Sequence, residues 1–225
     1  MFSRFLRAVF KIAIAILARH NILGLENLPS SGPYILVVNH LSFFDLPFLY
    51  GLLGGENVTG WAAEKYQRHP LFGPMLKWAG GIFIERGQVD RDAIARAVDW
   101  LRKGNIFGMA PEGTRSKTNA LARGKTGAAY LAHEANVPLV PIGIYGTEFT
   151  WESWRRLRRP LFSMHIGAPF HLAPLDPAQR QARLRADTDE IMCRIAALIP
   201  TPYHGYYADH PRLQDLLADQ PQGTA

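Results

Sequence analysis

Short apolar runs with the look of buried strands alternate along the chain with stretches of helical spacing. YILVVNH, Tyr34 to His40, is a continuous apolar run that follows the turn chemistry of LENLPSSGP and predicts a buried strand. DLPFLYGLL reads as a helix, with Asp45 as its N-cap and Gly54-Gly55 as its stop. NVTGWAAE is a candidate strand, HPLFGPMLKWAG a broken and weakly helical stretch, and GIFIER a further strand. DRDAIARAVDWLRKG is an amphipathic helix closed by Gly104. NIFGMA is then a strand, PEGTRSKTNALARG a loop, KTGAAYLAHEAN a helix and VPLVPIGIYG a strand. Pro138 and Pro141 cannot donate to a ladder, which puts this last strand at an edge or in partial pairing. The alternation predicts one α/β domain, a mixed and largely parallel central sheet flanked by helices. A ligand site is expected where its strands end and loops begin.

The N-terminus, MFSRFLRAVFKIAIAILARH, has another pattern. Arg4, Arg7 and Lys11 recur three and four apart, so a helix aligns them on one face, and Phe2, Phe5, Leu6, Val9, Phe10 and Ile16 fill the other. From Ile12 to Ala18 the run is apolar all round, yet that stretch of helix covers only about 11 Å, against a hydrocarbon core of roughly 30 Å. A helix lying in the membrane interface fits. A core helix of a soluble domain is one alternative. A cleaved signal peptide is another, weakened by Arg7 and Lys11 inside its hydrophobic region. The expected organisation is a membrane-associating helix in 1–27, a core domain in 28–200 and a C-terminal extension in 201–225.

Charge and cysteine usage narrow the classes. A formal net charge of +6 favours anionic partners: a lipid surface, a phosphorylated substrate or nucleic acid. Cys193 is the single cysteine, which excludes an internal disulfide framework and suits a reducing compartment. It lies in DTDEIMCRIAALI beside Ile191 and Ile195 and reads as a packed core thiol. No cluster has metal-ligand spacing, so no metal is invoked. NALARGKT nearly imitates a P-loop, but Asn119 takes the first glycine position and no strand precedes it. No Gly-x-Ser-x-Gly elbow marks a serine hydrolase.

The stretch VVNHLSFFD sets His40 five residues before Asp45. The same spacing recurs at His171/Asp176, His204/Asp209 and His210/Asp215, so spacing alone selects nothing. Only His40 ends a predicted buried strand with its partner at the start of a predicted helix; the last two pairs fall in the extension, expected to be peripheral. An aspartate accepting from one ring nitrogen would fix the tautomer and leave the other nitrogen free to take a proton. Asp45 as a mere N-cap is the competing reading. Three cations change the balance: Arg86 after GIFIE, Arg115 in APEGTRS, and Lys125 in RGKTG at the start of a helix, where N–H groups favour an anion. Together they could line a phosphate site on the sheet edge that carries His40.

In order, NHLSFFD, GIFIERG, PEGTRS and VPLVPIGI resemble the four sequence blocks of the glycerolipid acyltransferase family, the one containing 1-acyl-sn-glycerol-3-phosphate acyltransferase. The resemblance covers about Leu28 to Gly146 and departs at Leu41, where a polar residue is common. It implies that His40 and Asp45 are the catalytic pair. It also implies that Arg86 and the Glu112, Gly113, Thr114, Arg115 run bind substrate, with Lys125 beside them, and that Val137 to Ile142 makes acyl-donor or structural contacts. Activity of the lysophosphatidate type follows: an acyl chain moves from acyl-CoA or acyl carrier protein, as co-substrate and without a cofactor, to the free hydroxyl of the lysophospholipid substrate 1-acyl-sn-glycerol 3-phosphate, giving phosphatidic acid. An anionic membrane surface, at its cytoplasmic face, is the expected partner, and nucleic acid is not. Ser42 as an acyl-enzyme nucleophile competes poorly with a loop hydroxyl bonding its own backbone. The alternatives are another lysolipid acceptor, such as a lyso-ornithine lipid or another lysophospholipid, or a non-enzymatic membrane-surface binder. The latter would use the N-terminal helix and WESWRRLRRPLF, which reads equally as a membrane-interface anchor or a solvated basic face.

Overall fold

The computed structural model describes residues 2–53, 57–70, 72–78, 80–84 and 90–219. Its strands are β1 (Arg19–Leu23), β2 (Tyr34–Val38), β3 (Val58–Ala63), β4 (Ile82–Ile84), β5 (Ile106–Met109), β6 (Leu139–Tyr145) and β7 (Leu161–Ile166). Among the described residues they form one sheet in the order β1-β7-β6-β2-β5-β3-β4. Every neighbouring pair is parallel except β6 with β7. The mixed, largely parallel sheet expected from the sequence is therefore present.

All five residues of β2 are buried, because helices cover both faces of the sheet. Tyr34, Leu36 and Val38 join Ile106, Val140, Ile142 and Ile144 on one face. That face meets α1 (Phe2–Leu17) through Ile14 and α2 (Asp45–Leu53) through Phe48. Ile35, Val37, Phe107, Met109 and Leu139 point the other way. There they pack on α4 (Arg91–Arg102), α5 (Gly127–Ala135) and α7 (Arg180–Ala196). Side chains alternate with period two, so each interior strand supplies both cores. The remaining helices are α3 (Phe72–Trp78), α6 (Thr150–Arg155) and α8 (Pro211–Ala218). Asp90 caps α4 by accepting from the Ala93 N–H at 2.8 Å, and Gly104 leaves it at φ 81°.

The sequence reading needs three corrections. First, of the two alternatives for β6 the structure has the partial pairing and not the edge: the strand lies inside the sheet. Leu139 exchanges hydrogen bonds with Phe170, and the Pro141 carbonyl accepts from Gly167, so the N of Pro141 faces the β7 side. Pairing with β7 begins only at Ile142 opposite Ile166, so the missing donor falls in a gap in the ladder. Second, Arg19–Leu23, placed by the sequence in the membrane-associating helix of 1–27, is strand β1 and pairs with β7. Third, the C-terminal extension is not peripheral: Tyr207 and Leu213 are fully buried in the larger core, and His204 is buried beside them.

Helix α1 packs against the sheet through one narrow edge. Ile14 is buried, Phe10 half-buried, and the Arg7 guanidinium donates to the Leu52 carbonyl at 2.6 Å. On the opposite edge Phe5, Val9, Ile12 and Ile16 are exposed. No described helix is long and apolar enough to cross a membrane.

Cys193 is fully buried in α7, where burial pushes its thiol up to about 12. At about pH 8 roughly one molecule in 10⁴ then carries the thiolate. The folded protein is expected to resist iodoacetamide at that pH and to take up one label once unfolded in guanidinium. Labelling of the folded chain at the unfolded rate, followed by intact mass, would contradict this packing.

Candidate active site

The loop between β2 and α2 holds the site, and three neighbouring strand ends fix it. Asn39, buried, prolongs the β2–β6 ladder with its side chain: its Nδ2 donates to the Ile144 carbonyl and its Oδ1 accepts from the Ile144 N–H, both at 2.7 Å. The His40 N–H donates to Glu112 Oε1 at 3.1 Å, and the His40 carbonyl accepts from the Ser116 N–H at 2.7 Å. His40 is thus clamped between the ends of β6 and β5, the two neighbours of β2 in the sheet.

His40 Nδ1 lies 2.8 Å from Asp45 Oδ2. The same oxygen accepts from the Leu41 N–H at 2.7 Å and the Ser42 N–H at 2.8 Å. Asp45 Oδ1 accepts from the Thr147 hydroxyl. Asp45 is therefore the first residue of α2 but not its N-cap, since its carboxylate turns back into the loop. With Nδ1 committed to Asp45, Nε2 is the ring nitrogen available to accept a proton.

An apolar cavity of 260 Å³ opens at His40. Its walls include Leu6 and Phe10 of α1, Leu49 and Leu53 of α2, and Val58 of β3. Gly108 of β5 lines that space without a side chain to fill it, and it is in register with Gly60 of β3, where a Cβ would lie 2.4 Å from the Gly108 carbonyl oxygen. Gly113, Thr114 and Arg115 line the same cavity. Gly113 has φ 71°, and a side chain there would meet the Lys125 side chain, 3.1 Å away at Nζ. Thr114, Arg115 and Lys125 are exposed. Arg115 thus shares the cavity with His40, and Lys125 lies against Gly113 of the same wall.

Glu112 sits elsewhere in this arrangement. It is buried beneath the loop, with Oε1 on the His40 N–H and Oε2 on the Ala122 N–H at 2.9 Å. Burial raises its carboxyl above the ordinary value, against the pull of the two backbone bonds. Its geometry is that of a strut between two loops. Arg86 lies outside the described residues.

The acyltransferase family model matches residues 19–145, more than half of the chain. The chain belongs to the acyltransferase family. It is 36% identical over 132 residues to a chloroplastic 1-acyl-sn-glycerol-3-phosphate acyltransferase of Brassica napus. That match takes in 56% of this chain and 37% of the relative, so the chain spans little more than a third of that protein's length. It is 24% identical to the 1-acyl-sn-glycerol-3-phosphate acyltransferase of Bacillus subtilis, across 87% of this chain and 96% of that one. The crystal structure of the 1-acyl-sn-glycerophosphate (LPA) acyltransferase PlsC from Thermotoga maritima superposes with a TM-score of 0.63 at 23% identity, covering 84% and 79% of the two chains. This last likeness establishes the acyltransferase fold.

Two site residues of this acyltransferase escaped the sequence reading. Thr147 is fully buried, and Asn39 is buried beside the His40–Asp45 pair. Both signals were of the kind that singled out His40, a polar residue just past an apolar strand, but Thr147 is 102 positions from its partner. Next to it, Glu148 accepts from the Tyr203 hydroxyl at 2.5 Å, which ties the C-terminal extension to the same loop. Burial, followed by the Glu148 contact, raises the Tyr203 hydroxyl well above its usual value.

Thr147→Val keeps the shape and deletes one donor to a buried carboxylate, so it should cost about 1–3 kcal/mol of stability, with Thr147→Ser recovering most of it. Urea denaturation of the three proteins checks this. A valine variant as stable as the parent would mean that the hydroxyl does not serve Asp45.

Proposed function

We propose that the protein transfers an acyl chain from an acyl thioester, acyl-CoA or acyl carrier protein, to the free hydroxyl of 1-acyl-sn-glycerol 3-phosphate, giving phosphatidic acid. The observation that carries this reading is the His40–Asp45 pair at the mouth of an apolar cavity, with Arg115 and Lys125 alongside. His40 Nε2 takes the proton of the acceptor hydroxyl as its oxygen attacks the thioester carbonyl. The C–S bond breaks, and His40 hands the proton to the departing thiolate, so ester and free thiol leave in balance and no cofactor is needed. Asp45 holds the imidazole in the Nδ1–H tautomer and stabilises its cation. Arg115 and Lys125, with Arg86, hold the acceptor phosphate, and Gly113 and Thr114 shape the loop that presents them. Glu112 contributes to substrate binding through this loop, by fixing the His40 backbone. The names of the plant and bacterial relatives support the acceptor.

The acceptor is a lipid, and the exposed Phe5, Val9, Ile12 and Ile16 edge of α1 suits a bilayer surface. Arg7 and Lys11 on the same helix favour an anionic leaflet, and a thioester donor favours its cytoplasmic face. Nucleic acid has no part in this scheme.

Acyl transfer to 1-acylglycerol 3-phosphate in detergent micelles, offered both donors, tests the reading directly. The parent should turn over, and His40→Ala should lose at least ~10² in rate. Equal turnover by both proteins would remove His40 from the reaction. Turnover of a different lysolipid alone would keep the mechanism and move the acceptor.

The cavity holds the transferred chain in this scheme. A Cβ at Gly108 would lie 3.6 Å from the Thr59 carbonyl oxygen, an ordinary contact, so the backbone tolerates a side chain that fills the space. Gly108→Leu should shift preference toward shorter acyl thioesters in a competition assay. An unchanged length preference would separate the cavity from the acyl chain.

A further inference from the structure

Fourteen large hydrophobic side chains are exposed among the described residues; five lie on α1 and four lie between Phe149 and Leu161. The second group is concentrated on α6 and the turn that leads into β7. Trp151 is 63% exposed and Leu157 98%. Leu157 also carries φ 53°, the left-handed conformation that glycine or asparagine ordinarily fills. It stands just past the end of α6, where the Leu157 N–H donates to the Trp154 carbonyl and the Arg158 N–H to the Ser153 carbonyl, each at 2.9 Å. This is the Schellman closure, whose usual residue at that position is glycine. Here a leucine is held in a strained conformation at the tip of a turn and buries nothing within the fold.

Two contacts bind this turn to the first helix. Trp154 Nε1 donates to the Leu17 carbonyl at 3.1 Å, and Arg159 Nη2 donates to the carbonyls of Ala15 and Ala18. They satisfy carbonyls that the end of α1 leaves unpaired, and they place the turn beside the exposed edge of α1. Between Thr150 and Leu161 there are four arginines and one acidic residue, Glu152, a local charge of +3. Arg156 pairs with Glu152 at 2.9 Å, while Arg155, Arg158 and Arg159 are exposed. An aliphatic tip flanked by arginines matches the two layers of a membrane surface, acyl chains below and anionic headgroups above. A nucleic-acid surface would stack on aromatic faces and leave Leu157 without a partner.

We propose that the turn from Trp151 to Leu161 is a second membrane anchor, seated on an anionic bilayer beside α1, with Leu157 and Trp151 inserted and Arg155 and Arg158 on the headgroups. The consequence for the site is orientation. Phe44 packs edge-on against Trp151 and Trp154, with ring centroids 5.5 and 5.3 Å apart. Its neighbours Phe43 and Leu46 line the cavity that holds His40. Two adjacent anchors that both touch the cavity's lining segments turn its mouth toward the leaflet, so a lipid enters laterally. This step rests on the proposed acyl transfer to a lipid acceptor; the anchor itself does not.

The test uses the full chain and vesicles of phosphatidylglycerol with phosphatidylcholine, against phosphatidylcholine alone. Leu157→Cys carries an environment-sensitive fluorophore, since Cys193 is buried. Its emission should shift to the blue, and brominated acyl chains should quench it, on the anionic vesicles only. Leu157→Gly relieves the left-handed leucine, so its melting temperature should rise, while vesicle partitioning in sedimentation should fall about tenfold, the share of one leucine's transfer from water. A probe that stays in water while the protein sediments through α1 overturns the proposal. So does a glycine variant that partitions like the parent, or a probe that responds to duplex DNA and not to vesicles. Loss of acyl transfer with the probe still buried would sink the catalytic reading and leave the anchor standing.

Discussion

The Asp45 carboxylate accepts from His40, Leu41, Ser42 and Thr147 while almost wholly buried, and the rest of the site is arranged around that fact. Three of the donors belong to the loop that Asp45 closes; the fourth comes from the far end of β6. A buried acceptor that loses a donor costs about 1–3 kcal/mol, so the loop has one low-energy shape once β6 is in place. The orientation of His40 is inherited from that shape. On its other side His40 is tied to the β5 loop through Glu112 and Ser116. These three segments meet because β6, β2 and β5 are adjacent and parallel, with their ends on one side of the sheet. A histidine at that point is held by sheet topology, not by its own local sequence.

The cavity reflects the opposite tendency. Gly108 forgoes side-chain packing on the α1–α2 face, Gly60 opposite it leaves room for the Gly108 carbonyl, and glycine inside a strand also weakens it. Stability must then come from the other face, where α7 buries Ile191, Met192, Cys193 and Ile195 against the sheet and the C-terminal extension adds Tyr207 and Leu213. The α7 face of the sheet is close-packed, whereas the α1–α2 face, packed around β2, β6 and β7, opens into the cavity at β3 and β5. Departures from ideal packing belong at such sites, provided the remainder compensates.

Much of this was legible in the sequence, for reasons that also explain the misses. Strands β2, β5 and β6 read clearly because both faces are covered, which makes their runs continuously apolar. Strand β1, Arg19–Leu23, is an edge strand with mostly exposed residues, so it carries no hydrophobic signal and only its pairing with β7 defines it. Pro141 argued for an edge because a missing N–H is visible in sequence while a gap in the partner strand is not. Asp45 suits equally an N-cap and a partner of histidine; only the direction of its side chain distinguishes them. Glu112 belongs by resemblance to a substrate-binding run, yet both its oxygens serve backbone amides. Thr147 could not be found from spacing, since a contact across 102 residues exists only once the sheet is formed.

Helix α1 brings these threads together. In sequence its apolar residues merge into one broad face, but the structure divides them into two edges with separate work. Leu6 and Phe10 turn inward and wall the cavity at His40, whereas Phe5, Val9, Ile12 and Ile16, spaced at i, i+4, i+7 and i+11, form a stripe facing away from the sheet. A soluble core would have no use for the second stripe, and a spanning helix would not need the first. The same short helix is therefore both a wall of the cavity and the nearest surface to whatever lies outside. Because Trp154 and Arg159 clamp its C-terminal carbonyls, a load on the outer stripe bears on the cavity wall through a braced element. In the proposed scheme, contact with a lipid surface and access to His40 are coupled through this one helix.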